Sequence, residues 1–302
     1  MEAVWIERGI KVAVYILGHK LNRESLLSAH TQLDTQFRTR LATEVELLQN
    51  EVCDVSAHLA QTYELALALA RSTSVLEPQN YRQLNYLDVA CYTLDTLMTL
   101  AASPANEFVC DYGAGEPSVM VRLKGTGTTA YSHARYWIEC IFLAVICDRG
   151  EVIANLLRIG DETLLSSPTR CPPYMHLAVD AVRSYFKRQP MQKQRAKAAL
   201  KAAETLLTTN GYSTDVLKVR VAELKMLTAL LARDSDYFNF CLEESARIFQ
   251  DYWSTPERSL DSRGFLSLFN LGLASIACTG GIKLRVSSDY FPDPLVRQEF
   301  FA

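Results

Sequence analysis

The chain has 302 residues, 49% of them hydrophobic, which is enough for a continuous core in one large or two modest domains and too many for a disordered chain. A formal charge of -3 removes any general case for nucleic-acid binding, because neutralising phosphates needs a clustered cationic excess. The charge is uneven: residues 1–150 carry 12 Lys and Arg against 17 Asp and Glu, a net of -5, whereas residues 151–302 carry 19 against 17, a net of +2. An acidic N-terminal half suits a basic partner.

At the N-terminus, Glu7, Arg8 and Lys11 stand where a secretory peptide needs its apolar segment, and the run from Val12 to Leu17 is too short to span a bilayer. The eight cysteines, Cys53, Cys91, Cys110, Cys140, Cys147, Cys171, Cys241 and Cys278, show no C-x-x-C spacing. Most lie in apolar helical patterns such as Cys140-Ile141-Phe142, where a free thiol acts as a small hydrophobe. A cytoplasmic chain in a reducing compartment is the simplest expectation.

Helical periodicity dominates. Leu41, Val45, Leu48, Val52, Val55, Leu59, Tyr63 and Ala66 recur at spacings of four and three, which predicts one amphipathic helix from about Thr43 or earlier to about Arg71. The preceding segment, Arg23 to Arg40, is the expected antiparallel partner. Asn80 to Ala102 forms a further helix, stopped near Ser103-Pro104. The character then changes: 107–112 and 118–123 read as two short strands around Gly113 and Gly115, a β-hairpin inserted between helices. Thr128 or Thr129 is placed to cap a helix from Tyr131 to Asp148, apolar on nearly every face and so expected at the centre of the fold, with Arg149-Gly150 ending it. A short amphipathic segment covers 151–158. The linker from Ser166 to Pro173 then marks the best internal boundary, dividing a region 1–165 from a region 166–302 within one continuous unit. Helices are expected at about 175–188, 192–208, 213–232, 235–253 and 261–278. The whole reads as a mostly α chain of stacked antiparallel hairpins, solenoid-like, without a 34-residue consensus repeat.

No string announces catalysis. The segment 125–130, GTGTTA, fits G-x-G-x-x-A, but a dinucleotide site also needs a second strand ending in an acidic residue about twenty positions on. Here that region is the apolar helix, so Gly125 and Gly127 read as a loop and no cofactor is expected. His19, His30, His58, His133 and His176 are isolated from one another, so no metal site is expected. Adjacent carboxylates such as Asp161-Glu162 and Glu243-Glu244 read as solvated. The basic run Lys187, Arg188, Lys193, Arg195, Lys197 and Lys201 lacks interleaved aromatics and reads as a solvated helix face. Two acidic stretches are more informative. Residues 41–64 hold Glu44, Glu46, Glu51, Asp54 and Glu64 with no Lys or Arg, and residues 83–121 repeat this with Asp88, Asp95, Glu107, Asp111 and Glu116. Glu44, Glu51, Asp54, Asp111 and Glu116 are therefore candidate contacts for a cationic protein partner, the first three flanking the apolar stripe of one helix.

Two passages carry a resemblance: AYSHARYW over 130–137 leading into FLAVICD over 142–148, and GGIKLRVSSDYFP over 280–292. Together with the helix–strand insertion–helix layout they resemble immunity protein family 49 of bacterial polymorphic toxin systems, whose ending is similar to S-D-Y-L-P, with Phe291 here in place of leucine. Trp137, Asp289, Tyr290 and Pro292 are the family-motif residues, with an anchoring role as the plain alternative. The resemblance implies a cytoplasmic antidote, not an enzyme, that blocks a cognate secreted toxin. Such proteins sit beside nuclease toxins delivered by contact-dependent or type VI secretion, and a cationic nuclease would match an acidic inhibitor. It implies no cofactor, nucleic acid or membrane. The competing reading is a tetratricopeptide-like scaffold that binds another protein or peptide.

Overall fold

The computed structural model describes residues 6–7, 10–11, 14–49, 54–112, 119–209 and 213–299. Among them are twelve α-helices, one 3-10 turn and three two-stranded sheets, so the chain is mostly α with small β additions. It divides into two compact units, Arg23–Cys171 and Met1–Asn22 with Pro172–Ala302.

In the unit Arg23–Cys171, α1 (Arg23–Gln49), α2 (Val55–Leu76) and α3 (Arg82–Ala102) pack in sequence. Arg23 Nη2 donates to the Leu76 carbonyl at 3.1 Å and Arg40 Nη2 to that of His58 at 2.8 Å, which makes α1 and α2 antiparallel as expected. The single helix predicted over 43–71 is instead two. Asp54 takes an extended conformation and its Oδ1 accepts from Ala57 N at 3.1 Å, capping the first turn of α2. Capping residues compete with helix continuation, and one well-placed Asp starts a new helix whatever the apolar period says. The stripe survives from Leu59 onward, with Leu59, Tyr63, Ala66 and Ala70 at no exposure.

The predicted hairpin is present as β4 (Glu107–Tyr112) and β5 (Val119–Lys124), antiparallel, with Glu107 opposite Lys124. The central helix α4 (Ala134–Ile146) is shorter than expected at both ends. It is capped by His133 and not by Thr128 or Thr129: His133 Nδ1 accepts from Tyr136 N at 3.4 Å. Burial lowers the His133 pKa to about 4, so the ring stays neutral and Nδ1 remains an acceptor. Thr129 instead closes a turn, its carbonyl accepting from Ser132 N. Nor does Gly150 stop α4. Asp148 takes the left-handed conformation, φ 53°, with Arg149 N bonded to the Ala144 carbonyl and Asp148 N to that of Val145, a Schellman pattern. Gly150 opens α5 (Gly150–Leu156), and α6 (Asp161–Leu165) follows.

In the other unit, α7 (Pro173–Phe186), α8 (Gln192–Leu207), α9 (Thr214–Ala232) and α10 (Ser235–Trp253) stack each on the next, the expected succession of hairpins. The helix predicted over 261–278 begins only at Leu268. Asp261 caps a 3-10 turn (Ser262–Gly264) by accepting from Arg263 N, and the Ser267 side chain accepts from Asn270 N to start α11 (Leu268–Thr279). Within that turn a Cβ on Gly264 would lie 2.7 Å from the Trp253 ring, so the backbone lies flat on the indole. β1 (Ile6–Glu7) and β2 (Ile10–Lys11) pair antiparallel. Unanticipated from sequence, β3 (Val14–Ile16) runs parallel to β6 (Val286–Ser288), followed by α12 (Asp293–Val296).

Candidate functional site

The polar chemistry of the unit Arg23–Cys171 concentrates where α2 meets α4. Tyr63 on α2 has no exposure and donates to Glu139 Oε2 at 2.6 Å; Arg135, one turn before Glu139 on α4, donates to Oε1 at 2.8 Å. Burial alone would raise the Glu139 pKa, but the Arg135 charge, the bonds from Tyr63 and Arg135, and the nearby Arg71 together hold it below the ordinary carboxylate value. Arg71 is itself buried, and its Nε has no hydrogen-bond partner among the described residues. Tyr136 packs edge-on to Tyr63, ring centroids 5.0 Å apart, and donates to Glu64 Oε1 at 2.9 Å. An ionised, doubly bonded carboxylate has no proton to deliver, and this cluster ties α2 to α4.

Outside this cluster a cavity of about 430 Å³ opens, lined by Arg40, Ala60, Gln61, Glu64, Leu65, Tyr131 and Tyr136. Arg40 is held along α2 by bonds from Nε to Thr62 Oγ1, from Nη1 to Gln61 Oε1 and from Nη2 to the His58 carbonyl, at 2.7 to 2.9 Å. Glu64 is exposed.

Among the acidic candidates, Asp54 is exposed and caps α2, so it does not share one continuous helix with Glu44. Glu51 and Glu116, and the side chains of Glu44 and Asp111, lie outside the described residues. Several other acids are committed internally. Asp88 takes two bonds from Arg149, each 2.7 Å, and Asp95 accepts from Asn155 at 2.7 Å, whereas Glu107 on the hairpin stays exposed, 3.7 Å from Arg122. The acidic bias of this half is therefore partly internal wiring between α3 and α5.

Trp137, Asp289, Tyr290 and Pro292 have defined places. Trp137 is buried on α4 and its Nε1 donates to the Leu156 carbonyl at 3.0 Å, fixing the end of α5. In the other unit, Asp289 Oδ1 accepts from Tyr15 OH at 2.5 Å and Oδ2 from Gly18 N at 2.7 Å. The Tyr290 hydroxyl accepts from His19 N at 2.9 Å, and the imidazole reaches on to the Ser259 carbonyl. Pro292 precedes α12 and its carbonyl accepts from Leu295 N and Val296 N. Asp289 and Tyr290 thus clasp residues 14–19 to the end of the chain.

Residues 77–295 match the model of immunity protein 49, nearly three quarters of the chain. The chain belongs to the immunity protein 49 family. No curated protein and no solved structure matches it.

In this immunity protein the glycine segment is structural. A Cβ on Gly125 would lie 1.9 Å from the Ser103 carbonyl oxygen, and the amides of Thr126 and Gly127 both point at the Leu100 carbonyl, closing the end of α3. Amides already bonded to carbonyls are not available to a phosphate. His19, His30 and His133 each hold a hydrogen bond within the fold, to Tyr290, Ser72 and Tyr136. No group of three metal-ligating side chains occurs among the described residues. Cys91, Cys140 and Cys147 are buried free thiols whose pKa values lie above the ordinary range, a hydrogen bond with Cys140 and burial raising Cys91 and burial alone leading for the other two. In the basic run, Arg195 donates to Ser184 Oγ at 2.5 Å, tying α8 to α7, while Lys187, Arg188, Lys193, Lys197 and Lys201 are exposed. No helix among the described residues is long and apolar enough to cross a membrane. Glu139 was missed in the sequence, its one signal being Arg135 and Glu139 at i, i+4 on an otherwise apolar helix, and nothing in the sequence joined Glu64 of the acidic stretch to Tyr131 and Tyr136 of the segment 130–137.

Proposed function

We propose that this immunity protein binds a cognate secreted toxin in the cytoplasm and neutralises it by covering its active or substrate-binding surface, without catalysis of its own. The observation that carries the reading is the family match over residues 77–295. The net charge of -5 over residues 1–150 favours a cationic toxin surface, and a nuclease domain is the toxin class we favour because its substrate demands such a surface. Occlusion by a rigid helical body needs no moving part, and a few central anchors in a well-packed patch supply most of the affinity. The test is co-expression with the toxin encoded beside its gene. A stable complex on co-purification, with toxicity restored when the immunity gene is removed, supports the reading. Failure to bind or protect against that toxin rejects it.

A further inference from the structure

The cavity lined from α1, α2 and α4 and by Tyr131 combines aromatic, apolar and charged side chains. Its walls combine two tyrosines, Tyr131 and Tyr136, with the apolar side chains of Ala60 and Leu65 and the stem of Arg40. One carboxylate, Glu64, stands among them. Tyr136 OH occupies its Oε1, which orients the group, and Oε2 keeps acceptor capacity because an ionised carboxylate offers about four lone-pair sites. Behind it, Glu139 is matched by Arg135. The Arg40 guanidinium turns three of its nitrogens toward α2. A carboxylate flanked by aromatic rings is the chemistry that receives a cation, since the ring faces attract positive charge and the oxygen takes the hydrogen bond. A planar guanidinium fits it better than an ammonium, because it stacks on rings, is weakly hydrated and bonds carboxylates side-on. The volume of about 430 Å³ is large enough for one side chain.

We propose that this cavity is the receptor for an arginine side chain presented by the toxin, with Glu64 bonding the guanidinium, Tyr131 forming the ring it lies against and the buried Tyr136 holding Glu64 in place. The proposal rests on the immunity reading for the identity of the partner and deepens it by naming what that partner inserts. The rings come from the segment 130–137 that lies within the family match, while Glu64 lies outside residues 77–295. Arg40 lowers the affinity for any isolated cation, so a lone arginine binds weakly and the surrounding interface adds the rest.

Two measurements decide it. First, acetyl-arginine amide is titrated into the full chain and backbone amide shifts are followed by NMR. Saturable shifts confined to residues 60–65 and 131–136 are expected, weakened at least tenfold in Glu64→Gln, an exposed substitution that leaves the core intact. No saturable binding, equal binding by Glu64→Gln, or tighter binding of acetyl-glutamate amide, which Arg40 would favour, overturns the proposal. Second, Glu64→Gln is tested against the toxin encoded beside the gene. Weaker binding and protection support the proposal, and wild-type affinity in the variant overturns it. If the wild-type chain itself does not bind that toxin, the immunity reading fails, and the arginine titration alone decides what the cavity takes.

Discussion

Glu139 and Asp95 are two half-buried carboxylates with opposite consequences, because their surroundings differ. Glu139 sits between Arg135, Tyr63 and Arg71, and its pKa falls. Among the described residues Asp95 accepts from the neutral Asn155 amide, and burial, helped by the charge of Glu151, raises its pKa to about 6 against the bond from Asn155. A depressed carboxylate contributes stability above its unfolded value near 4.5, and that stability is lost as pH falls through the lower folded value. A raised one contributes below its unfolded value of 3.8 and loses that contribution as pH climbs through about 6. Asp95→Asn keeps an acceptor for Asn155 and removes the charge. Urea unfolding should therefore show the variant more stable than wild type at pH 7, by about 1–3 kcal/mol, with the two converging near pH 4. A variant less stable at pH 7 would mean that ionised Asp95 is well solvated. Glu139→Gln should act the other way, costing about 3 kcal/mol at pH 7, because Arg135 and the buried Arg71 lose their counter-charge.

Helix ends decide which parts of this fold are legible in sequence. The apolar periods placed α3, α8, α9 and α10 and the β4–β5 hairpin well, since burial of a stripe or an alternating face is written in residue type. The ends of α4 and α7 fall two residues before the expected 148 and 188, at stops that lack glycine. Asp148, Arg188 and Arg233 all adopt the left-handed conformation, with φ between 51° and 56°, and each closes a Schellman pattern that glycine usually serves. Arg188→Gly removes the steric penalty at an exposed position, against the entropy that glycine loses on folding. The expected outcome is a gain of a few tenths to about 1 kcal/mol, seen as a higher Tm at unchanged helical content. A lower Tm would show that the Arg188 side chain holds α7 in some other way. The Glu139 cluster was illegible for a different reason: Tyr63, Arg71 and Glu139 meet only after α2 and α4 pack, and sequence separation of 76 residues between Tyr63 and Glu139 carries no local pattern. The clasp of Tyr15 and His19 on Asp289 and Tyr290 joins positions more than 270 residues apart, so the motif was visible and its mate was not.

For the whole molecule, the strongest bias is electrostatic, and its expected effect is on association rate. Charges spread over an acidic half steer a cationic partner, and salt screens that steering within about 8 Å at physiological ionic strength. Simple charge reversal is a poor probe here, because Asp54 also caps α2 and its loss would cost about 1 kcal/mol of helix stability. Asp54→Ser keeps a capping oxygen and removes the charge, so it belongs in a triple variant with Glu44→Gln and Glu51→Gln. Stopped-flow mixing with the toxin should show the variant associating several-fold more slowly than wild type at low salt, with the two rates converging as salt is raised and dissociation rates little changed. Helical content and Tm should match wild type. Identical association rates across the salt series would remove Glu44, Glu51 and Asp54 from the recognition surface and leave the proposed Glu64 receptor to account for the choice of partner.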